Sequence, residues 1–163
     1  MRTLFIITCL ANIVFAFGTL PWMPEKVAIH FGPDKTPNEW VSPLIYAILA
    51  STLVGVLGAA FFGLSSIPFT STTSYGTPNR DYWLKEENRP KVIQRLRFYF
   101  LSIGIGVLLV LLSYQWTIFH YNRTLPPYFD ASVPFCCSII FAVYVPIEIV
   151  RSYLFFRLPK GKE

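Results

Sequence analysis

Charge is scarce in this chain. Only 14% of its 163 residues are Asp, Glu, Lys or Arg, against about 25% in an average soluble domain. That deficit excludes a chain coated by a charged, solvated surface. Together with 53% hydrophobic and 17% aromatic residues, it selects a membrane class. Cysteine is rare too. Cys9, Cys136 and Cys137 all lie in apolar stretches. An odd count with an adjacent pair excludes a disulfide framework and zinc-ligand spacing, and leaves small packing residues. The two histidines, His30 and His120, fall one to a connection, which is no metal-ligand motif. Phosphate loops, nucleophile–base motifs and nucleic-acid modules are all missing. The expectation is therefore a protein that is not an enzyme, with no cofactor, no metal and no nucleic-acid partner.

What is present is a set of four apolar runs, at 4–20, 43–64, 98–119 and 133–156. Each is close to the ~20 residues that a helix needs to cross hydrocarbon. The expected fold is an all-α integral membrane bundle of four transmembrane helices, forming a single membrane domain over residues 1–163. The first run also resembles a signal peptide, but Asn12 in its core and Gly18 in its best cleavage triplet favour a retained span. Thr8, Asn12 and Ala16 are four apart and share one helix face. A polar stripe of that kind turns toward other helices, where Asn12 finds a partner. In the second run, Ser51, Gly55, Ala59 and Gly63 also recur every four residues. Such a ridge is expected to pack against another helix of this chain or of a copy. Ser42 and Pro43 read as the cap and first residue of that span. Pro146 sits inside the fourth.

The connections carry the charge. The N-terminus, the second connection (65–97) and the C-terminus hold eleven Lys/Arg, and the first and third connections hold three. The positive-inside rule then puts both termini in the cytoplasm of a multi-pass protein of the cell membrane. The cytoplasmic flanks would meet anionic lipid headgroups.

Residues 20–43 form the first connection, on the outer side. The stretch holds five prolines and two tryptophans. Pro21, Pro24, Pro33 and Pro37 exclude a long helix. Lys26 to Phe31 suits a short extended segment, with the large Val27, Ile29 and Phe31 on one face and His30 on the other. Trp22 and Trp40 would anchor the two ends at headgroup depth. The expectation is an ordered Pro-rich cap on the bundle.

Leu20-Pro21, Val27-Ala28-Ile29-His30-Phe31, Asp34, Pro37-Asn38 and Trp40 together resemble an uncharacterised bacterial membrane domain. That domain stands at the N-terminus of Sdp-type immunity proteins and in shorter integral membrane proteins. Pro78-Asn79-Arg80-Asp81-Tyr82-Trp83-Leu84 is similar to a segment of some short members. The match covers the first two spans and part of the second connection. Lys35 stands where members usually carry Gly. The second, larger membrane domain of the immunity proteins has no counterpart in these 163 residues, so their toxin-protection role is not carried over directly.

The candidate residues fall into two groups. In the outer loop they are His30, Asp34, Asn38 and Trp40, with Glu25 and Glu39 nearby. His30 reads as a hydrogen-bonded anchor of the loop, with a ligand or pH-sensing role as the alternative. In the spans they are Asn12, Glu148 and Arg151. Glu148 is the sole acidic residue inside a span, which makes it a functional candidate. Arg151, three residues on, makes it an interfacial ion pair. The sequon Asn122-Arg123-Thr124 is discounted as a chance pattern. The resulting reading is a non-enzymatic binding or immunity-like module. It would meet a peptide, lipid or protein partner through the outer loop. The alternative is a small transporter or channel-like subunit using Asn12 and Glu148, which would require a homo-oligomer.

Overall fold

The computed structural model describes residues 1–73, 77–124 and 130–157. Within them the chain runs α1 (Arg2–Gly18), a 3-10 turn (Leu20–Trp22), β1 (Val27–Phe31), β2 (Pro37–Val41), α2 (Pro43–Leu64), α3 (Arg80–Leu84), α4 (Arg89–Asn122) and α5 (Ser132–Phe155). Four of these helices, α1, α2, α4 and α5, are long and apolar enough to cross a membrane. Pro126, Pro127, Lys160 and Lys162 lie outside the described residues.

The expectation of an all-α chain needs correction. β1 and β2 pair antiparallel as a two-stranded sheet. Proline forbids helix here, and the turn between the strands is well supplied. The Lys35 N–H donates to Gly32 O at 2.9 Å, and Gly32 N–H donates to Thr36 O at 2.8 Å. Lys35 has φ 64°, a left-handed conformation following a turn with Pro at its second position, which is a common hairpin closure. It is reached here without glycine, at a cost of about 1–2 kcal/mol for an L-residue.

The third expected span also changes. It was expected at 98–119, but α4 has 34 residues and runs from Arg89 to Asn122. Lys and Arg are good helix formers, so the basic segment after Asn88 continues the helix instead of ending it. At 1.5 Å per residue α4 is about 50 Å long, well beyond a hydrocarbon core of about 30 Å. It is also the hub of the fold, because α1, α2, α3, α5 and β1 all pack on it.

Helices α1, α2 and α4 meet around Phe5, Val54, Leu101 and Leu108, all buried. Glycine sets the approach. A Cβ on Gly104 would lie 2.7 Å from the Phe5 ring and 2.9 Å from Phe61. Helix α5 packs on a different part of α4, where a Cβ on Gly106 would lie 2.5 Å from the Phe141 ring. Within the chain the expected ridge is packed only at Ser51, which is half-buried. Gly55 and Ala59 are exposed, and Cβ atoms on Gly55 and Gly63 would meet nothing within 4 Å. The helix is rotated so that Val54 and Gly58 face inward, and a Cβ on Gly58 would lie 3.3 Å from Cys9 Sγ.

A second, smaller core closes the far end. Phe69, Trp83, Val92 and Phe156 are buried together. Trp83 Nε1 and Asn79 Nδ2 both donate to Phe156 O, at 2.9 and 3.0 Å. They satisfy a carbonyl that the end of α5 would otherwise leave unpaired.

Gly104→Ala should therefore lower thermal stability in detergent, by about 1–3 kcal/mol as expected for overpacking. Gly55→Ala should leave it unchanged or slightly raised. Equal effects of the two would refute the three-helix packing.

Candidate functional site

The polar groups of the chain are held at three depths along α4. The first is at the hairpin end, where Asn122 occupies the last turn of α4 and is 2% exposed. Its Oδ1 accepts from Ala28 N–H at 2.6 Å, and its Nδ2 donates to Ala28 O at 3.0 Å. The side-chain amide thus satisfies both backbone groups of one β1 residue, as a neighbouring strand would. Nδ2 also donates to Ile118 O at 2.9 Å. This fixes β1 against the bundle and buries both Val27 and Ala28. The expected alternation of β1 is broken in consequence. Register shifts flank His30, and Val27 and Ala28 are both inside.

His30 is exposed. Its Nδ1 lies 2.6 Å from Asn38 Oδ1. His30 and Asn38 therefore link the two strands. Asp34 organises the turn: its carboxylate accepts from Thr36 N–H at 3.2 Å and from Thr36 Oγ1 at 2.8 Å. Those bonds hold its pKa below the ordinary carboxylate value. A depressed folded value stabilises the turn above the unfolded pKa of about 3.9, and that support is lost as pH falls through the folded value. Trp40 and Trp22 are exposed at the hairpin flanks. Glu25 and Glu39 are exposed as well. His120 stacks on Trp116 with centroids 6.0 Å apart.

The second depth is the middle of α4. Asn12 is fully buried. Its Nδ2 donates to Thr8 O at 2.9 Å and to Leu108 O at 3.2 Å, and its Oδ1 accepts from Gln115 Nε2 at 3.0 Å. Thr8 and Ala16 of the same stripe are buried with it.

At the third depth Glu148 is fully buried and lies between two arginines. Arg151 Nη1 donates to Oε1 at 2.6 Å, and Arg95 Nη2 donates to Oε2 at 3.1 Å. Arg95 also reaches Ser152 Oγ at 3.1 Å. The side chain of Arg151 is 58% exposed and that of Arg95 only 13%. Arg95 is thus the principal buried counter-charge, and Arg151 closes the site from outside. Along α4, Arg95 and Leu108 are about 20 Å apart, so Glu148 and Asn12 belong to separate sites.

Three of these partners were missed by reading residues singly. Asn122 was set aside as a sequon, although its burial leaves no room for a glycan. Arg95 is one of the basic residues of the second connection, yet it pairs with a buried carboxylate of α5. Gln115 lies inside the expected third span and pairs with Asn12. The usable signal was that each buried polar residue in one span needs a partner in another.

No protein-family model matches this chain, and no curated protein or solved structure matches it significantly. Among the described residues, no group of three or more His, Cys, Asp or Glu is placed to hold a metal.

Two outcomes follow. Asn122→Ala removes partners for two buried backbone groups, each worth about 1–3 kcal/mol. Trypsin should then cut at Lys26 and Lys35 much faster, while the helical signal persists; unchanged cleavage would exclude the clamp. Arg95→Gln should destabilise more than Arg151→Gln, since it removes the more buried counter-charge of a buried carboxylate, a loss of about 3–5 kcal/mol. The triple Arg95→Gln, Glu148→Gln, Arg151→Gln should recover part of that loss. Thermal unfolding of the three variants decides this.

Proposed function

We propose that this protein is a multi-pass membrane module that binds an extended peptide or protein segment through its hairpin on the outer side of the cell membrane. One observation carries the reading. The outer edge of β1 is already filled by Asn122, whereas among the described residues no strand pairs with the outer edge of β2. An ordered strand with one open edge is a template for strand addition, in which main-chain bonds give affinity. Asn38, Glu39 and Trp40 are exposed along β2 and would supply side-chain contacts. The His30–Asn38 side-chain contact ties the two strands together.

Several features support the membrane setting. Four helices are long and apolar enough to cross it. Their outward surfaces carry exposed Leu, Ile, Val and Phe. The Lys/Arg asymmetry of eleven against three orients both termini inward and the hairpin outward. The resemblance to the N-terminal domain of Sdp-type immunity proteins points to the same outward role. The transporter reading is less well supported, because Asn12 and Glu148 spend their hydrogen bonds inside the chain.

Single cysteines at Asp34 and at Glu86, in a chain freed of its own three, test the orientation. A membrane-impermeant maleimide should label the Asp34 site on intact cells and spare the Glu86 site; the reverse pattern would invert the topology. A photo-crosslinking residue at Glu39 should then capture a partner in intact cells, and Asn122→Ala should abolish that capture. Equal capture from a crosslinker at Glu86 would reject the hairpin as the binding element.

A further inference from the structure

A cavity of about 430 Å³ opens between α1 and α5, with α4 as its floor. Its volume lies within the ~300–1,000 Å³ of ligand pockets. Met1 and Leu4 form one wall and Ile140, Phe141 and Tyr144 the other, over Phe98 to Val110 of α4. We infer that this groove binds one acyl chain of an acidic phospholipid, with the headgroup phosphate held at the arginine cluster around Glu148.

Length is the first argument. Phe98 to Val110 spans thirteen residues, about 18 Å of helix, and one leaflet is half of a hydrocarbon core of about 30 Å. The groove therefore matches one leaflet in depth. It starts near one end of α4 and stops near the middle, just short of the Asn12–Gln115 contact.

Continuity with charge is the second. On α4, Lys91, Arg95, Phe98 and Ser102 are spaced four, three and four, so they share one face. On α5, Tyr144, Glu148 and Arg151 are spaced four and three, and share another. Both rows that wall the groove run directly into the charges. The Arg95 guanidinium lies 5.7 Å from the Phe98 ring centroid, which ties the charge to the lining.

The third argument is unused donors. Arg95 Nε has no hydrogen-bond partner but is itself buried, so the donors open to a headgroup are those of Arg151. Arg151 uses Nη1 on Glu148 and is otherwise more than half exposed. One carboxylate between two guanidiniums leaves one net positive charge, and Lys91 is exposed one turn away. A phosphate complements that arrangement, and arginine favours it by geometry. A zwitterionic headgroup brings its own cation and is matched less well.

This inference rests on the membrane reading above, so its test is made in detergent, apart from the topology experiment. The purified protein is titrated with phosphatidylglycerol and with phosphatidylcholine of identical chains, and bound lipid is counted by native mass spectrometry. Phosphatidylglycerol should bind about fivefold more tightly, the discrimination expected of one net charge at a headgroup. The triple Arg95→Gln, Glu148→Gln, Arg151→Gln should reduce it to the phosphatidylcholine level. Ile140→Trp, at a groove position 70% exposed, should weaken both lipids without disturbing the core. Equal affinity for the two lipids in the wild type, or binding unchanged in Ile140→Trp, overturns the proposal. Should the triple variant fail to fold, Ile140→Trp decides alone. A chain that labels as a membrane protein yet shows no headgroup preference loses this site and keeps its topology.

Discussion

A polar group surrounded by apolar side chains is costly unless it finds a partner. Helix α4 supplies that partner at three depths. Arg95 meets Glu148 of α5, Leu108 O and Gln115 meet Asn12 of α1, and Asn122 meets the Ala28 peptide of β1. Each contact joins α4 to a different element, and each is specific in a way that apolar packing is not. Leu or Phe can slide along a helix at little cost, but a buried amide or carboxylate cannot leave its partner. The three contacts therefore fix the axial position of α1, α5 and the hairpin relative to one helix.

Glycine then sets how close the elements come. Gly104 lets Phe5 and Phe61 approach α4 from one side, and Gly106 lets Phe141 approach it on the other. The two glycines are two residues apart and so point to well-separated directions around the helix. That separation places α1 and α2 on one flank and α5 on another, and the groove is the space left between α1 and α5. The cavity is thus a consequence of where small residues occur on the hub.

Much of this was legible in the sequence for simple physical reasons. Apolar runs announced the four helices, and Ser42-Pro43 announced the start of α2, where Ser42 Oγ accepts from Ile45 N–H at 3.3 Å. The Thr8–Asn12–Ala16 stripe announced its own burial. Proline announced an extended first connection, though β2 was not foreseen. Pro37, Asn38 and Glu39 have weak strand propensity, and only pairing with β1 makes them a strand. The Gly55, Ala59 and Gly63 positions of the ridge on α2 are not used inside the chain, because small residues permit close approach without requiring it. Rotation by one position, to Val54 and Gly58, satisfied the same need. Arg95 and Asn122 were hidden for a different reason. Their importance lies in what stands opposite them, and sequence separations of 53 and 94 residues cannot be read locally.

The hairpin and the buried contacts then stand in a definite relation. A free five-residue strand pair is marginal in water, and a flexible loop would lose conformational entropy whenever it bound a segment. The Asn122 clamp, the Asp34–Thr36 bonds and the His30–Asn38 contact meet that cost during folding. Binding at β2 would then order only the incoming segment, which is the advantage of a preorganised site. The same economy explains why the clamp comes from the end of α4. That helix is the longest and most widely packed element of the chain, so it offers the firmest support at the level where the hairpin leaves the bundle. A side chain on α2 or α5 would transmit the motion of a helix with fewer neighbours to the hairpin.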